Sequence, residues 1–270
     1  MCRVLNVSAS GYYAWRNRPL SRRAQENYQL VTKIREVHQK NRKAYGSPRV
    51  YQALRNEGIL CGRHRVARLM RAHGIKARRA LYYKRRSQTK HGRGIADNLV
   101  KRQFHVPIPN QIWAGDITCF WTGSGWLYLA VVLDLYSRRV IGWSMGGRIT
   151  ELLTIDALKM ALLNRTPEKG LIHHSDQGSQ YGSDSFQKTL RDHGMECSMS
   201  FKGDCYDNAV VESFFKTLKA ELPREERRFP TREIARTKLF DYIEVFYNRK
   251  RLHSTLGYMS PVQYEERNSA

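Results

Sequence analysis

Three carboxylates in this 270-residue chain are spaced for metal-assisted chemistry. Asp116, in WAGDIT, falls in the middle of a stretch (residues 112–121) that alternates like a β-strand. A charge in a buried type of strand is costly unless it is paired or binds metal. Asp176, in HHSDQGSQY, follows a short apolar stretch (residues 171–174), and open α/β sheets place their sites at the ends of neighbouring strands. Glu212, in DNAVVESFFKTLKAE, lies on an expected helix over residues 207–221 with Asp207 as N-cap. Three carboxylates around one point suit Mg²⁺ or Mn²⁺, hard ions that prefer oxygen. Two such ions about 3.5–4 Å apart would clamp the attacking and leaving oxygens of an in-line phosphoryl transfer.

The spacing along the Glu212 helix adds a second kind of residue. Val211, Phe215, Leu218 and Leu222 form one apolar stripe at 100° per residue. Asn208, Glu212, Lys216 and Lys219 form a polar line beside it, which would put two lysines toward a phosphate backbone. Glu221 points the opposite way. The plainer alternative is an amphipathic surface helix carrying an i,i+4 Glu–Lys pair. Asp134 is the rival acid. If TGSG closes a simple hairpin, position 116 faces position 131, and Asp134 lies about 10 Å further along on the other face. It reads as a turn or structural acid. His173 and His174 are adjacent on a strand and cannot share one metal; a structural role for His174 is favoured over a place at the site border.

The elements needed to position these acids follow from the pattern of residues 107–270. Strands are expected at 112–121, 126–135 and 139–145, with TGSG between the first two. A helix at 150–164, a strand at 171–174, a helix at 183–193, a strand at 196–198 and the Glu212 helix come next, with a further helix at 231–248. The order βββαβαβα gives an α/β fold, a mixed sheet with helices on both faces. Upstream, helices are expected at 27–40, from Ser47 (N-cap) and Pro48 to Gly58, and at 63–73 before Gly74. The last two, around a tight GILCG connection, are consistent with a helix-turn-helix that carries Arg63, Arg65, Arg68 and Arg71. Residues 76–90 interleave Tyr82 and Tyr83 with basic residues, among them Arg78, Arg79, Lys84, Arg85 and Arg86, which suits phosphate tracking and base stacking.

Charge divides the chain in the same place. Residues 1–106 carry 26 Lys+Arg against 4 Asp+Glu, while residues 107–270 carry 21 against 20. A basic half joined to a balanced half points to a polyanion-gripping module on a separate compact domain. The expected organisation is an N-terminal remnant or linker (1–26), a helix-turn-helix region (27–75), a basic linker (76–106) and a catalytic core with a C-terminal helical extension (107–270). Five cysteines with no CxxC pair argue against a disulfide framework and a structural zinc site. No apolar run nears the ~18–20 residues of a membrane span, and no signal peptide is visible, so a soluble cytoplasmic protein with no membrane partner is expected.

The ordered set WAGDIT, VVLDLYSRRVIGWSM, HHSDQGSQY, DNAVVESFFKTLKAE and YNRKRLHSTLGYMSP resembles the second-frame transposases of the insertion-sequence-3 family, bacterial enzymes of the DDE type. YGSPRVYQALRNEGILCGRHRVARLMRAHGI resembles the family's helix-turn-helix segment, so the likeness covers nearly the whole chain. The 35 residues between Asp176 and Glu212 match the family's spacing. The resemblance implies a ribonuclease-H-like core shared with retroviral integrases, with Asp116, Asp176 and Glu212 as catalytic, metal-holding acids. It also implies that Lys219 touches the DNA end. No HHCC module is present, so zinc is not implied. The family's first-frame specificity helix and leucine zipper are absent from this sequence, which implies a first-frame product, or fusion with it, as a partner.

The resulting expectation is a Mg²⁺- or Mn²⁺-dependent transposase that cuts insertion-sequence ends and transfers the freed strand to target DNA. It would self-associate on DNA and bind it through Asn208, Lys216, Lys219 and the basic residues of the first half. The alternatives are a metal-dependent nuclease on the same fold, or a non-catalytic DNA-binding protein from a decayed element.

Overall fold

The computed structural model describes residues 2, 4–78, 96–101, 103–201, 208–222 and 229–268. The chain forms two compact units, residues 1–77 and 78–270. In the first, α1 (Ala9–Arg16) buries no residue, whereas α2 (Arg22–Lys40), α3 (Ser47–Asn56) and α4 (Arg63–Ala72) pack on one another. Their shared core is Leu30, Ile34 and Val37 from α2, Val50 and Leu54 from α3, and Val66, Leu69 and Met70 from α4. Gly58 and Gly74 follow the C-caps of α3 and α4 with positive φ, the backbone that the sequence reserves for glycine there.

Two helix starts differ from expectation. Helix α2 begins five residues before position 27, because the Ser21 hydroxyl caps Ala24 N and the polar run RRAQE is a good helix former with no apolar period to reveal it. Gly46, not Ser47, is the N-cap of α3, so the cap has no side-chain hydrogen bond.

In the second unit, β1 (Ile112–Thr122), β2 (Gly125–Asp134), β3 (Val140–Gly146), β4 (Ile172–Ser175) and β5 (Glu196–Met199) form one sheet in the order β3-β2-β1-β4-β5. Pairs β1–β2 and β2–β3 are antiparallel, and β1–β4 and β4–β5 are parallel. With α5 (Glu151–Asn164), α6 (Asp184–Asp192) and α7 (Ala209–Glu221), the order is βββαβαβα. Trp113, Val132, Ile141, Leu158, Phe186 and Leu190 belong to the core between sheet and helices. Asp116 faces Val131 across the hairpin, as the turn length requires.

Both sheet edges are engaged by chain outside the strands. Met199 N donates to Asp97 O at 3.2 Å and Leu99 N to Ser198 Oγ at 2.9 Å, so the stretch just before residue 107 lies against β5. At β3, the Asn248 carboxamide exchanges two hydrogen bonds with Val140, at 3.0 and 2.9 Å, and imitates a strand partner. The helix expected at 231–248 is α8 (Arg232–Phe240) continued by a π-helical segment, Asp241–Tyr247. A last helix, α9 (Pro261–Asn268), brings Glu265 to Ser137, Arg139 and Arg165. Among the described residues, no helix is long and apolar enough to cross a membrane.

Candidate active site

The register of β1 and β4 positions the first two acids. The two strands pair at Ile112↔Ile172, Trp113↔His173 and Ala114↔His174 and no further. Carried on by two residues, that register sets Asp116 beside Asp176. Parallel neighbours in register lie about 4.8 Å apart and point to the same face. β1 runs on to Thr122 while β4 stops at Ser175, so among the described residues the β4-side edge of β1 from Asp116 onward meets no strand, only the bridge of Thr122 to Phe229 at its far end.

Helix α7 approaches β1 there. The Asn208 side chain precedes the helix and donates from Nδ2 to Gly115 O at 3.2 Å. This bond pins the start of α7 next to the residue before Asp116, and Glu212 follows one turn on. Val211, Phe215, Leu218 and Leu222 are all buried, so the expected stripe does hold the helix down. The N-cap is Asn208; Asp207 lies outside the described residues.

Electrostatics ties the three acids together. Burial raises the Asp116 pKa well above the usual carboxylate range, and the charges of Asp176 and Glu212 raise it further. The Ile117 N–H, donating to Asp116 Oδ1 at 2.7 Å, and the Lys219 ammonium oppose the shift. Asp176 Oδ1 accepts from Gly178 N at 3.0 Å, which fixes the turn after β4. Glu212 pairs with Lys216 at 3.6 Å. Lys219 lies over the Phe120 ring, Nζ 5.5 Å from the centroid, where burial lowers its pKa while Cys119 and Asp116 pull it back up. A cavity of about 530 Å³ opens on Asp116, Cys119, Tyr128, Asp176, Gln180 and Tyr181. Among the described residues, no group of three His, Cys, Asp or Glu side chains forms a ready-made metal cage.

The rival groups fall outside this arrangement. Asp134 is fully buried and accepts from Asn110 N at 3.0 Å and Tyr136 N at 2.9 Å; burial raises its pKa to about 6. His174 is held between the hydroxyls of Ser198 (2.9 Å) and Ser200 (3.2 Å), a structural histidine. His173 is the one that lies under the site. It packs on Tyr181 and Phe186, neither ring nitrogen has a partner among the described residues, and burial lowers its pKa to about 3.

Three residues expected to face DNA are instead engaged within the protein. Asn208 is 6% exposed and ties α7 to β1. Arg65 is turned onto α2, with Nε 2.8 Å from Asn27 Oδ1 and Nη2 3.3 Å from Glu26. Arg78 donates to Glu221 O at 2.9 Å, because the last carbonyls of a helix lack intrahelical partners. Arg63, Arg68 and Arg71 are exposed on α4, and Lys216 is exposed on α7. Arg79, Lys84, Arg85 and Arg86 lie outside the described residues. Sequence reasoning passed over Tyr181 and Cys119. Only their positions, five residues after Asp176 and three after Asp116, hinted at either.

A short mixed sheet with carboxylates converging at β1, the end of β4 and a packed helix is the arrangement of an integrase-type catalytic core, the polynucleotidyl transferase class. Residues 106–205 and 212–268 match integrase core domain families, and residues 25–85 match an HTH-like domain family. The chain belongs to the insertion-sequence-3 family of transposases, enzymes of DNA transposition. It is 44% identical over 272 residues to the transposase InsF for insertion sequence IS3A of Escherichia coli K12, covering 100% of this chain and 94% of that protein. It is 41% identical over 267 residues to the insertion element IS600 uncharacterized 31 kDa protein of Shigella sonnei, covering 99% and 98%. The HTLV-2 integrase catalytic core domain, solved in complex with magnesium, is 21% identical with a TM-score of 0.44, covering 58% of this chain and 97% of that one.

Proposed function

We propose that Asp116, Asp176 and Glu212 are the catalytic carboxylates of a DNA strand-transfer site. The supporting observation is geometric: the β1–β4 register carries Asp116 alongside Asp176 and the Asn208–Gly115 bond brings α7 to the same place, where burial first, and then the charges of Asp176 and Glu212, raises the Asp116 pKa. Three acids that repel one another at one cleft match the donor set of a hard divalent cation, which would relieve that repulsion. Bound there, Mg²⁺ or Mn²⁺ would polarise the scissile phosphate and favour the attacking hydroxyl as its anion. The protein's own residues hold the geometry. Asn208 sets α7 against β1, the Asp176–Gly178 bond fixes the second acid, and Lys219 supplies positive charge beside Asp116.

In cutting, water oxygen bonds to phosphorus, the bond to the 3′ oxygen breaks, and that oxygen leaves as a 3′-OH. In joining, that 3′-OH attacks a second phosphodiester and displaces its 3′ oxygen. Neither step requires a covalent protein intermediate. DNA is the partner, as element ends and as target. The helix-turn-helix region (27–75) and basic linker (76–106) grip it, and the core (107–270) carries out the chemistry. The chain self-associates on DNA and works with, or fused to, the first-frame product in the bacterial cytoplasm.

The test uses labelled element-end DNA with Mg²⁺, reading cut and joined products separately. Asp116→Asn, Asp176→Asn and Glu212→Gln each abolish both while DNA binding is largely spared. A variant that still cuts at the normal rate removes that acid from the site. Cut products without joined ones would favour the nuclease reading.

A further inference from the structure

Helix α5 is apolar on both sides. Leu153, Ile155, Ala157, Leu158 and Ala161 are buried in the core shared with the sheet. The outward face carries two more leucines, Leu152 at 62% exposed and Leu163 at 89%. A helix with apolar residues all round is normally covered on both faces, and α5 is covered on one. Between the two leucines lie Asp156 and Lys159, both exposed. At 100° per residue the four side chains fall within about 60° of arc, so they share one stripe. Three residues apart on a helix is a spacing at which an ion pair forms. Yet among the described residues neither Asp156 nor Lys159 has an ion pair or a side-chain hydrogen bond.

The stripe reads Leu, Asp, Lys, Leu, and it complements itself on reversal. The outer pair and the inner pair are centred on the same point of the helix axis, midway between Ala157 and Leu158. A two-fold axis through that point lays a second α5 antiparallel on the first. Leu152 then meets Leu163 of the second copy, and Asp156 meets Lys159 of the second copy. Each contact occurs twice, as an isologous interface requires. Apolar groups meet apolar groups, and each charge meets its opposite. At the Leu163 end, a cavity of about 410 Å³, lined in part by Leu162, Leu163, Pro167 and His193, leaves room for the incoming Leu152.

We propose that the outward face of α5 is a two-fold interface between copies of this chain, with the Asp156–Lys159 pairs setting its register. This rests on the reading that the chain self-associates on DNA and names the surface that does it. A partner of another sequence would have no reason to match a stripe that complements itself. The helix is 14 residues, about 21 Å long. One such face is smaller than the about 1,200 Å² of a stable free-standing interface, so the pairing belongs to copies that DNA already holds close together.

The test measures how well the full chain makes a biotin-tagged element-end duplex capture a second, labelled one. Asp156→Lys and Lys159→Asp should each reduce capture by about tenfold or more, because one substitution creates two like-charge contacts across a two-fold axis. The double variant, Asp156→Lys with Lys159→Asp, should return to within about threefold of the unmodified chain. An equal mixture of the two single variants should recover as well, since one chain then presents two cations to the two anions of the other. A mere change in DNA affinity is not repaired by mixing. The thermal midpoint should not move, as both side chains are exposed. Capture by both single variants at the unmodified level, or a mixture as poor as its components, overturns the α5 interface while self-association stands. If the unmodified chain captures nothing, self-association fails and the interface with it.

Discussion

Lys219 is not a solvated surface lysine. Its aliphatic stem is half-buried, its ammonium lies over Phe120, and its charge is felt at Asp116. Under the proposed function a DNA phosphate entering the cleft would add a further counter-charge for it. Lys219→Ala is expected to weaken end binding or cutting by about tenfold, and Lys219→Arg to recover part of that. Lys188→Ala, on the exposed face of α6, should change neither at low or moderate salt. Equal behaviour of the Lys219→Ala and Lys188→Ala proteins would remove Lys219 from the DNA-facing set. Asp116 carries a pH signature of its own. Its raised pKa means that the folded chain binds a proton more tightly than the unfolded chain does. Between the ordinary aspartate pKa and the raised one, stability therefore falls as pH rises. A divalent cation bound at the three acids would oppose that loss. Mg²⁺ or Mn²⁺ should raise the thermal midpoint more near about pH 8 than near about pH 5, and Asp116→Asn should flatten the difference. A midpoint indifferent to the cation at both pH values would contradict the metal reading.

At the scale of the element, α7 works with two faces. One carries Glu212 and Lys219; the other ends in Glu221, which is 4% exposed. The Glu221 carboxylate receives Arg251 Nε at 2.8 Å and Nη2 at 2.8 Å, and the Tyr242 hydroxyl at 2.8 Å. Tyr247 stacks edge-on against Phe214 at 4.7 Å, so the π-helical segment and α7 are joined by polar and aromatic contacts together. Breaking one partner of such a pair leaves a buried charge uncompensated. Glu221→Gln is expected to cost about 3–5 kcal/mol, a fall of roughly 6–20 °C in thermal midpoint. Replacing Glu221 and Arg251 together by Met should recover most of it. If the double variant is no better than the single one, the loss comes from packing and not from the orphaned guanidinium.

At the scale of the molecule, positive charge is concentrated in the first 106 residues, a boundary that lies within the second unit. Residues 1–106 hold 26 Lys+Arg against 4 Asp+Glu. Arg63, Arg68 and Arg71 stand exposed on α4, while Arg65 is spent on α2. DNA binding by the full chain should fall steeply with salt, with a log–log slope of about −0.9 per phosphate neutralised. A fragment starting at Ala96 keeps the residues that pair with β5 and should still fold. It is expected to bind DNA far more weakly, with a shallower slope. Equal affinity of fragment and full chain in a salt titration would place the grip in the core instead.

The sequence by itself determined the succession of elements βββαβαβα, the hairpin register that sets Asp116 opposite Val131, and the apolar stripe that seats α7. Each is a local pattern of period two or 3.6 bounded by turn residues, and such patterns survive without knowledge of distant contacts. The three acids could also be singled out as candidates, because a carboxylate in a strand centre, after a strand and beside a helix stripe is costly without a shared purpose. Only the tertiary structure decided which of two adjacent histidines lies beneath the site. Alternation puts His173 and His174 on opposite faces but does not say which face meets Gly115. Asn208 and Arg65 likewise read as polar surface on their own helices, and only packing against Gly115 and Asn27 turned them inward. Tyr181 was invisible for the same reason. Its place depends on two glycines more than sixty residues apart meeting one ring.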